Sequence, residues 1–410
     1  MIDDKVLKII NLSLTLENKQ ILNDISFNAH KGDLIGIIGP NGSGKSTLLK
    51  CINGLIKTKR KIKIQDKFIE EYKANDLAKK ITIMNQNTFI NFPFKSLEIV
   101  LMGRYPYIGK FKSESEYDKN ISLESMTKTE TIAFKDKEIN HISGGERQRI
   151  LCSKTIAQET ELILFDEPIS NLDLKYQETL LQLFKSLSKD NKTIIVAIHD
   201  IKIASKFCSK LILLKSGKIL SKGTPKKVLT NVNISKAYDI NALSFTNSIT
   251  NCLDFQILNK KQPLKKHKLH VISGGNSSSH IFKLLYEENF EVTTGVLNIG
   301  DFDLESADYY NFESIVEYPF SNISNKNYKK NINLIKASDI TILSNISFGF
   351  QNILNLKACC YSCKLVIIED SPPNIRDFTK GKALEMYSTL NKTATITESK
   401  NLINILNTLL

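Results

Sequence analysis

Residues 34–50 read LIGIIGPNGSGKSTLLK, and this stretch decides the fold of the part of the chain around it. An apolar run suited to a buried strand ends at Ile38, a glycine-rich turn follows, and a helix-forming series opens at Lys45. The spacing Gly39-x-x-x-x-Gly44-Lys45-Ser46 is that of a phosphate-binding P-loop, or Walker A motif. Glycines let backbone N–H groups converge on phosphate oxygens, and the positive end of a helix dipole faces the same anion.

The side chains of this loop have separate expected roles. Lys45 would reach the β and γ phosphates, and the Ser46 hydroxyl would ligate Mg²⁺. The predicted ATP-binding set is the whole loop, which consists of Gly39, Pro40, Asn41, Gly42, Ser43, Gly44, Lys45, Ser46 and Thr47.

Length and composition limit what kind of protein this is. A chain of 410 residues predicts two domains, and 41% hydrophobic with 24% charged residues is a globular composition. The first residues lack a basic and apolar signal sequence, and the longest apolar runs fall far short of the ~20 residues of a bilayer span. We therefore expect a protein that is soluble or peripheral to a membrane.

The net charge of +13 has two interpretations. It could mark a nucleic-acid or anionic membrane partner, or it could reflect lysines spread over a solvated surface. We favour the second, because the sequence has no run of five or more basic residues.

The seven cysteines are scattered, which indicates reduced cytosolic thiols. Cys360-x-x-Cys363 has redox or metal-binding spacing, but no second pair accompanies it. We favour buried structural cysteines at this position.

Two further motifs follow the P-loop. Ser143-Gly144-Gly145-Glu146-Arg147-Gln148 opens a helix and offers backbone donors suited to a phosphate. Residues 161–167, ELILFDE, predict a buried strand that ends in two carboxylates, where ligands bind in parallel sheets. Asp166 would hold Mg²⁺ through water and Glu167 would polarise the attacking water, while the alternative is a pair of capping acids.

His199 ends the next predicted strand, TIIVAI. A histidine there could be ordinary structure, but with a P-loop and an acidic strand end upstream we favour a sensor of the γ-phosphate. Residues 5–29 alternate apolar and polar and predict an antiparallel sheet, and residues 89–112 are rich in aromatics and prolines. That segment would be either a docking surface or the packing of a small subdomain.

The order P-loop, Gln86, SGGERQ, LFDEP, SNLD and His199 resembles that of the ATP-binding cassette ATPases, over about residues 4–245. SGGERQ is specific to that family, and LMGRYPYIGKF at 101–111 is similar to the ATPases of ferric siderophore, haem and cobalamin importers. The resemblance implies an α/β fold: a P-loop NTPase cassette with a mixed sheet core, an antiparallel β subdomain and a helical subdomain.

The resemblance also implies an assembly. ATP would lie in a head-to-tail homodimer, between the P-loop of one subunit and Ser143, Gly144 and Gly145 of the other. Asp173, in SNLD, would join this nucleotide-binding set, and Gln86 would join Ser46 and Asp166 at Mg²⁺. The implied catalytic residues are Glu167, His199, Gln86 and Lys45. Gln86 would also link the nucleotide to a permease, whose coupling helix would rest near residues 89–110.

Two positions depart from the family. The family stacks adenine on an aromatic residue, and the aligned position here is Leu16, so adenine packing would be aliphatic. Ile169 stands where the family usually has threonine, beside the catalytic acid, and we expect activity to be retained.

The second half predicts another domain. Residues 259–268 are charged and lack apolar periodicity, so we expect a cassette at 1–258, a linker at 259–268 and an accessory domain at 269–410. Candidate strands at 269–272, 291–297, 339–343, 364–368 and 393–396 alternate with helical patterns, which predicts a parallel, Rossmann-like α/β sheet.

Two features of this second domain could bind a ligand. Residues 273–279, SGGNSSS, lie between a strand and a helix and predict an anion cradle or a plain turn, and Glu369 and Asp370 end another strand. The text GVLNIGDFDLESADYY resembles a C-terminal extension of some cobalamin-type importer ATPases. The domain would be regulatory, or it would only stabilise a dimer.

Together these features predict the ATP-hydrolysing motor of an importer for cobalamin, a ferric siderophore or haem. It would bind ATP and Mg²⁺, sit at the cytoplasmic face of the plasma membrane, and partner a permease and, through it, a substrate-binding protein. The alternative is an ATP-driven switch that acts on nucleic acid or a ribosome. The single cassette and the LMGRYPY segment argue against that alternative, so no nucleic acid is expected.

Overall fold

The computed structural model describes residues 4–86, 90, 92–109, 112–246, 253–258 and 267–410. The chain divides into two compact units, Met1–Ile257 and Leu258–Leu410. The domain bounds expected above stay a prediction, and residues 259–266 of the expected linker lie outside the described residues.

The strands of the first unit form a mixed sheet, an antiparallel sheet and a hairpin. They are β1 (Lys5–Leu16), β2 (Lys19–His30), β3 (Leu34–Ile38), β4 (Ile62–Ile64), β5 (Lys67–Phe68), β6 (Ile81–Met84), β7 (Leu162–Asp166), β8 (Thr193–Ala197), β9 (Lys210–Lys215), β10 (Lys218–Gly223), β11 (Asn241–Thr246) and β12 (Leu253–Leu258). The central sheet has the order β10-β9-β3-β8-β7-β6, with only β10 antiparallel to its neighbour. The antiparallel sheet has the order β2-β1-β4-β5, as the alternation at 5–29 predicts.

Helices pack on both faces of the central sheet. They are α1 (Lys45–Ile52), α2 (Ala74–Ala78), α3 (Ser96–Leu101), α4 (Glu116–Lys128), α5 (Gly144–Ala157), α6 (Leu174–Lys189), α7 (Ile201–Phe207), α8 (Pro225–Val228) and α9 (Asn231–Tyr238). The polar residues 113–139 have a helical pattern in the sequence, but α4 ends at Lys128 and two single 3-10 turns follow it.

The central strands are buried on both faces, which explains why they read as continuous apolar runs. Every residue of β3, β7 and β8 is buried. Successive side chains of β3 enter different cores: Ile35 and Ile37 pack with α1 and the antiparallel sheet, whereas Leu34 and Ile38 pack with α5, α6 and α7. This double covering fixes the carboxyl ends of the strands, where the candidate site lies.

The second unit is a single parallel sheet between helices. Its strands are β13 (Lys268–Ile272), β14 (Glu291–Asn298), β15 (Glu313–Glu317), β16 (Ile340–Leu343), β17 (Leu365–Ile368) and β18 (Thr395–Thr397). Its helices are α10 (Ser279–Glu287), α11 (Phe302–Tyr309), α12 (Asn325–Ala337), α13 (Ile353–Ala358), α14 (Lys382–Asn391) and α15 (Leu402–Leu409). The order β15-β14-β13-β16-β17-β18 is that of a Rossmann sheet.

One strand of this sheet was absent from the sequence prediction. β15 (ESIVE) lies at the edge of the sheet, and only Ile315 of its five residues is buried. Without a continuous apolar run, the segment carries a weak strand signal.

The buried assignment of Cys360 and Cys363 was wrong. Both thiols are exposed at the turn that precedes β17, whereas the neighbouring Cys359 is buried. Within the described ranges, no group of three or more metal-ligating side chains is found. No helix in the described part of the chain has the length and apolar character to cross a bilayer.

Candidate nucleotide-binding site

The P-loop follows β3 and leads directly into α1. Gly44 immediately precedes the helix with φ 101°, and no side chain caps the first turn. The N–H groups of that turn therefore remain available to an anion. Gly39 has φ 146°, and a Cβ there would lie 2.2 Å from the carbonyl oxygen of Leu214, so only glycine fits.

Two side chains of the loop provide further donors. The Lys45 ammonium group donates to the carbonyl oxygens of Gly39 (2.8 Å) and Pro40 (3.1 Å), which holds it under the loop. Burial lowers the pKa of Lys45, although the nearby Glu167 and Asp166 carboxylates raise it. The Ser43 hydroxyl is buried and has no partner in the described structure, so a ligand phosphate could satisfy it.

Asp166 ends β7 beside the P-loop. Its Oδ1 accepts a hydrogen bond of 2.9 Å from the Ser46 hydroxyl, and the residue is only 2% exposed. Burial raises the pKa of Asp166, Glu167 adds to the rise, and the bond from Ser46 opposes it. A buried carboxylate beside a hydroxyl is an oxygen donor pair that fits Mg²⁺.

Side chains from three other parts of the fold contact Glu167. Its carboxylate accepts a hydrogen bond of 2.6 Å from the Gln86 side chain and contacts Nε2 of His199. Its carbonyl oxygen accepts from the Gln148 side chain at 2.9 Å. The structure therefore brings together Gln86, Glu167 and His199, which lie far apart in the sequence.

A cavity of about 680 Å³ opens above the P-loop. Its lining includes most of the residues expected from the sequence: Asn41, Gly42, Gly44, Lys45, Ser46, Thr47, Gln86, Glu167 and His199. The antiparallel sheet and the β9–β10 turn contribute lining residues that the sequence analysis missed: Lys19, Gln20, Ile21, Ser216 and Gly217.

Among the missed lining residues, Ser216 (φ 47°) and Gly217 both have a left-handed backbone, and Gly217 contacts the P-loop. The φ of Gly217 is 75°, in the left-handed region, and a Cβ there would lie 2.3 Å from the carbonyl oxygen of Ile21. Its N–H donates to the Ser43 carbonyl oxygen at 3.1 Å. A glycine after a strand could have suggested this turn, but its contact with the P-loop depends on the fold.

The signature residues lie elsewhere in the unit. Ser143 accepts from the Glu146 N–H and caps the start of α5, and Asp173 accepts from the Tyr176 N–H and caps the start of α6. Among the described residues that line the cavity, neither these two nor Gly144 and Gly145 occur. Leu16 is 41% exposed at the end of β1 and is also outside that lining, so its role with adenine stays a prediction.

The glycine-rich turn of the second unit binds two carboxylates of the chain itself, those of Asp303 and Asp301. The buried Asp303 carboxylate accepts from the N–H groups of Gly274 (2.8 Å), Ser277 (3.0 Å) and Ser278 (3.0 Å). Asp301 accepts from the Gly275 N–H at 2.9 Å. The anion cradle expected at 273–279 exists, but two aspartates fill it.

The fold and the site define a P-loop ATPase cassette followed by a Rossmann-like unit. The ABC transporter family matches residues 22–170, and the MJ0874 family matches residues 292–403. An uncharacterized ABC transporter ATP-binding protein of Methanocaldococcus jannaschii is 32% identical over 294 residues, which cover 71% of this chain and 100% of that protein. The chain therefore belongs to the ABC transporter ATP-binding proteins, and it is an ATPase of that family.

Two further likenesses concern import. A cobalamin import ATP-binding protein of Halobacterium salinarum is 29% identical over 304 residues, or 73% of this chain and 76% of that protein. A solved ABC transporter chain of proposed metal-chelate type, in an inward-facing conformation, superposes with a TM-score of 0.55 at 27% identity. It covers 62% of this chain and 98% of its own length. The expected family and fold class are confirmed, whereas the roles of the individual site residues stay predictions.

Proposed function

We propose that this chain is the motor subunit of an importer that takes up a metal chelate through a partner permease. The chelate would be a corrinoid such as cobalamin, a ferric siderophore or haem. The observation that carries the proposal is the position of Glu167, which is held by Gln86 and His199 at the P-loop cavity. The relative named for cobalamin import supports a cargo of this class.

The chain's own residues divide the chemistry of hydrolysis. Lys45 binds the β and γ phosphates, and Glu167 orients the attacking water and accepts its proton. His199 and Gln86 hold Glu167 and report on the γ-phosphate. Ser46, Asp166 and Gln86 would hold Mg²⁺, which neutralises the charge that develops on the phosphate oxygens.

A second copy of the chain would complete the site. Ser143, Gly144 and Gly145 are accessible and lie outside the cavity of their own unit, as does Asp173. Ser143 and Gly144 are exposed, and a Cβ on Gly144 would meet no atom within 4 Å, so a ligand could approach it closely. A head-to-tail dimer would place these donors on the γ-phosphate bound by the partner.

Mixed dimers test this arrangement. Lys45→Ala disables every P-loop of its homodimer, and Ser143→Arg blocks every signature, so each variant alone should be inactive. When the two are mixed, one site of each mixed dimer is intact, so about a quarter of the wild-type ATPase rate should return. If the mixture stays as inactive as its components, the trans arrangement is wrong.

A groove beside Gln86 is a suitable seat for a helix of the permease. It has a volume of about 410 Å³ and is lined by α2, β6, α5 and the end of α1, including Leu55, Asn85 and Gln158. Asn85 lines the groove, and its neighbour in the chain, Gln86, donates a hydrogen bond to the Glu167 carboxylate. A movement of the groove wall could therefore reach the hydrolytic carboxylate through these two residues. The Tyr107 hydroxyl donates to the Gln158 carbonyl oxygen at 2.9 Å, so the described part of the aromatic segment borders this groove.

Leu55 provides the test of the groove because it lines it and is 60% exposed. Leu55→Asp should impair uptake by cells while leaving the basal ATPase rate of the purified chain unchanged. Val232→Asp is the matched control, since Val232 is 59% exposed on α9 and lies outside the groove lining. Equal uptake by both variants would place the permease elsewhere.

Uptake by cells identifies the cargo. A strain that carries only the Glu167→Gln chain should lose uptake of one chelate among cyanocobalamin, ferrichrome and haem, and should retain its chain at the cytoplasmic face of the membrane in fractionation. Normal uptake of all three would reject the importer proposal.

A further inference from the structure

The second unit has the architecture of a ligand-binding sheet. β13 lies in the middle: the chain runs from it to β14 and β15 on one side, and then crosses to β16 on the other side. Ligands of such sheets bind at this switch point, at the carboxyl ends of the strands. The residues that surround this edge therefore indicate what kind of molecule the unit could bind.

The edge is unsuited to a nucleotide phosphate. In Rossmann sheets the turn after the first strand binds phosphate, but here Asp303 and Asp301 occupy that turn. Asp303 is fully buried, so a phosphate would have to displace two carboxylates or approach them against their charge.

The same edge carries large exposed apolar side chains, which we call the apolar rim. They are Ile299 (51% exposed), Phe302 (62%), Phe320 (89%), Phe350 (53%), Ile375 (63%) and Phe378 (67%). These residues follow β14, β15, β16 and β17, and the carboxyl ends of parallel strands meet at one edge. A concentration of exposed apolar groups on one edge marks a binding surface.

Neutral hydrogen-bonding groups lie between the two halves of the rim. The hydroxyls of Ser277 and Ser344 are 2.8 Å apart, which joins the ends of β13 and β16. The Asn345 side chain donates to the Ser371 hydroxyl at 3.0 Å, which continues the row to the end of β17. Ser344 is fully buried and donates to the Ile272 carbonyl oxygen, so it positions the row. The half-buried groups of Ser277, Asn345 and Ser371 can bind the amides of a ligand without adding charge.

The fixed charges at this edge are mainly negative. Besides the two aspartates in the turn, Glu317 ends β15, and Glu369 and Asp370 follow β17. The exposed cation that the structure places against the rim is Lys382, whose Nζ lies 5.7 Å from the centroid of the Phe350 ring. The buried Arg376 guanidinium lies over the Phe348 and Tyr387 rings at 5.9 and 5.7 Å. Acidic groups therefore outnumber the exposed cation, and a ligand with free carboxylates would meet net repulsion, whereas a neutral or cationic one would not.

We propose that this edge binds a corrinoid, a broad macrocyclic metal chelate whose periphery consists of neutral amides. The apolar rim would cover the faces of the macrocycle, and the serine and asparagine row would bind its amides. Haem fits less well because it carries two carboxylates. The inference rests on the proposed function, since it selects one chelate class among those proposed as cargo and makes the second unit its sensor.

The absence of tryptophan from the sequence permits a local reporter. Phe350→Trp in the full chain places a single indole on the rim, and Tyr117→Trp places one on α4 at a similarly exposed position (66%). The probe is the corrinoid cobinamide, which absorbs light at the wavelengths where tryptophan emits. Bound cobinamide should therefore quench the tryptophan fluorescence of the Phe350→Trp chain in a saturable manner. The Tyr117→Trp chain should show only the linear loss caused by absorption. Haem, ferrichrome and ATP should each give no saturable quenching at Phe350→Trp.

A second substitution tests the rim itself. Adding Ile375→Ser to the Phe350→Trp chain should raise the Kd for cobinamide about tenfold, with the basal ATPase rate unchanged because Ile375 is exposed and lies in the second unit. The proposal is overturned by identical titrations of the two reporters, by saturable quenching with ATP, or by a rim emission that changes with protein concentration alone, which would indicate self-association.

These outcomes are separate from those for the motor. Binding at equilibrium needs neither permease nor hydrolysis, so a failed titration leaves the importer proposal standing. Conversely, normal chelate uptake by the Glu167→Gln strain would reject the importer and leave the measured binding intact.

Discussion

Glu167 combines an uncommon backbone conformation with contacts from several elements. Its φ is 53°, in the left-handed region, which costs a residue with a side chain about 1–2 kcal/mol. Gln86, Gln148 and His199 contact it from three directions. A strained backbone conformation persists only where the contacts around the residue enforce it, and such residues are often found at functional sites.

Replacing this carboxylate tests its role as the base. Glu167→Gln keeps the size of the side chain but removes the proton acceptor, so the ATPase rate should fall about 10²–10⁴-fold. ATP binding should be retained, and the dimer should accumulate in its closed form. Phosphate release and size-exclusion chromatography measure both effects.

Glu124→Gln is the control, because Glu124 is 65% exposed on α4 and pairs only with Lys128 among the described contacts. It should hydrolyse ATP at the normal rate. If Glu167→Gln did the same, another group would be the base.

Asp166 shows how a functional charge reduces stability. Burial raises its pKa, so its contribution to stability is full in acid and is lost as the pH rises through the raised pKa. Asp166→Asn cannot ionise and should therefore raise the Tm of the nucleotide-free chain at pH 7.5. It should also weaken Mg²⁺-dependent ATP binding about 10–100-fold. A lower Tm, measured by calorimetry, would contradict this account.

At the scale of elements, the β9–β10 turn connects the antiparallel sheet to the P-loop. The Gly217 N–H donates to the Ser43 carbonyl oxygen, and its own carbonyl oxygen accepts from the Asn23 N–H at 2.8 Å. The cavity wall formed by Lys19, Gln20 and Ile21 depends on this close approach.

Gly217→Ala should disturb that wall. The added Cβ would meet the Ile21 carbonyl oxygen at 2.3 Å, and the backbone is left-handed, so the hairpin must move. We expect the KM for ATP to rise about tenfold with a smaller change in kcat. Gly349→Ala is the control, because no atom lies within 4 Å of its added Cβ. Equal KM values for both variants would show that the turn does not shape the nucleotide site.

In the second unit, β13 is connected to its neighbours through a buried histidine. The His270 ring contacts the Thr293 hydroxyl at 2.8 Å and the Asn331 side-chain oxygen at 2.9 Å. Burial lowers the pKa of His270 to about 4, and the bond to Asn331 opposes this only partly.

This histidine predicts acid sensitivity of the second unit. The unfolded chain binds the proton near the ordinary histidine pKa of about 6.5, so stability is full above that pH and falls as the pH decreases towards 4. The loss should be about 2 kcal/mol at pH 5 relative to pH 7.5. Hydrogen exchange of the β13 amides would measure it.

His280→Gln is the control, since His280 is exposed on α10, and it should keep the full pH dependence. His270→Gln should reduce the dependence, although it should also lower stability at every pH. An unchanged slope in His270→Gln would assign the acid sensitivity to other groups.

At the scale of the molecule, the described residues that line the nucleotide cavity all belong to the first unit. They fall between Lys19 and Gly217. The second unit has its own sheet and its own buried clusters. The two halves can therefore be examined separately.

Removing residues 259–410 should leave ATP hydrolysis intact. We expect the kcat and the KM of the 1–258 chain to lie within about twofold of the full-length values, because no cavity residue is lost. Steady-state ATPase assays of the two chains measure this. A large loss of nucleotide binding would show that the second unit supports the site.

The sequence by itself determined the P-loop, the acidic end of β7, the alternation of β1 and β2, and five strands of the second sheet. These are properties of short contiguous segments, in which the residue types and the spacing of apolar side chains within the segment determine the local structure. It also determined the family, because SGGERQ and its companions have fixed spacing.

Only the tertiary structure decided which distant residues meet. Gln148 reaches the Glu167 carbonyl oxygen, Gly217 contacts the P-loop, and Asp303 fills a turn that precedes it by some 25 residues in the chain. The exposure of Cys360 and Cys363 belongs to the same class of facts. Such contacts arise from packing between elements, and the sequence of one helix, strand or turn does not reveal which other elements will pack against it.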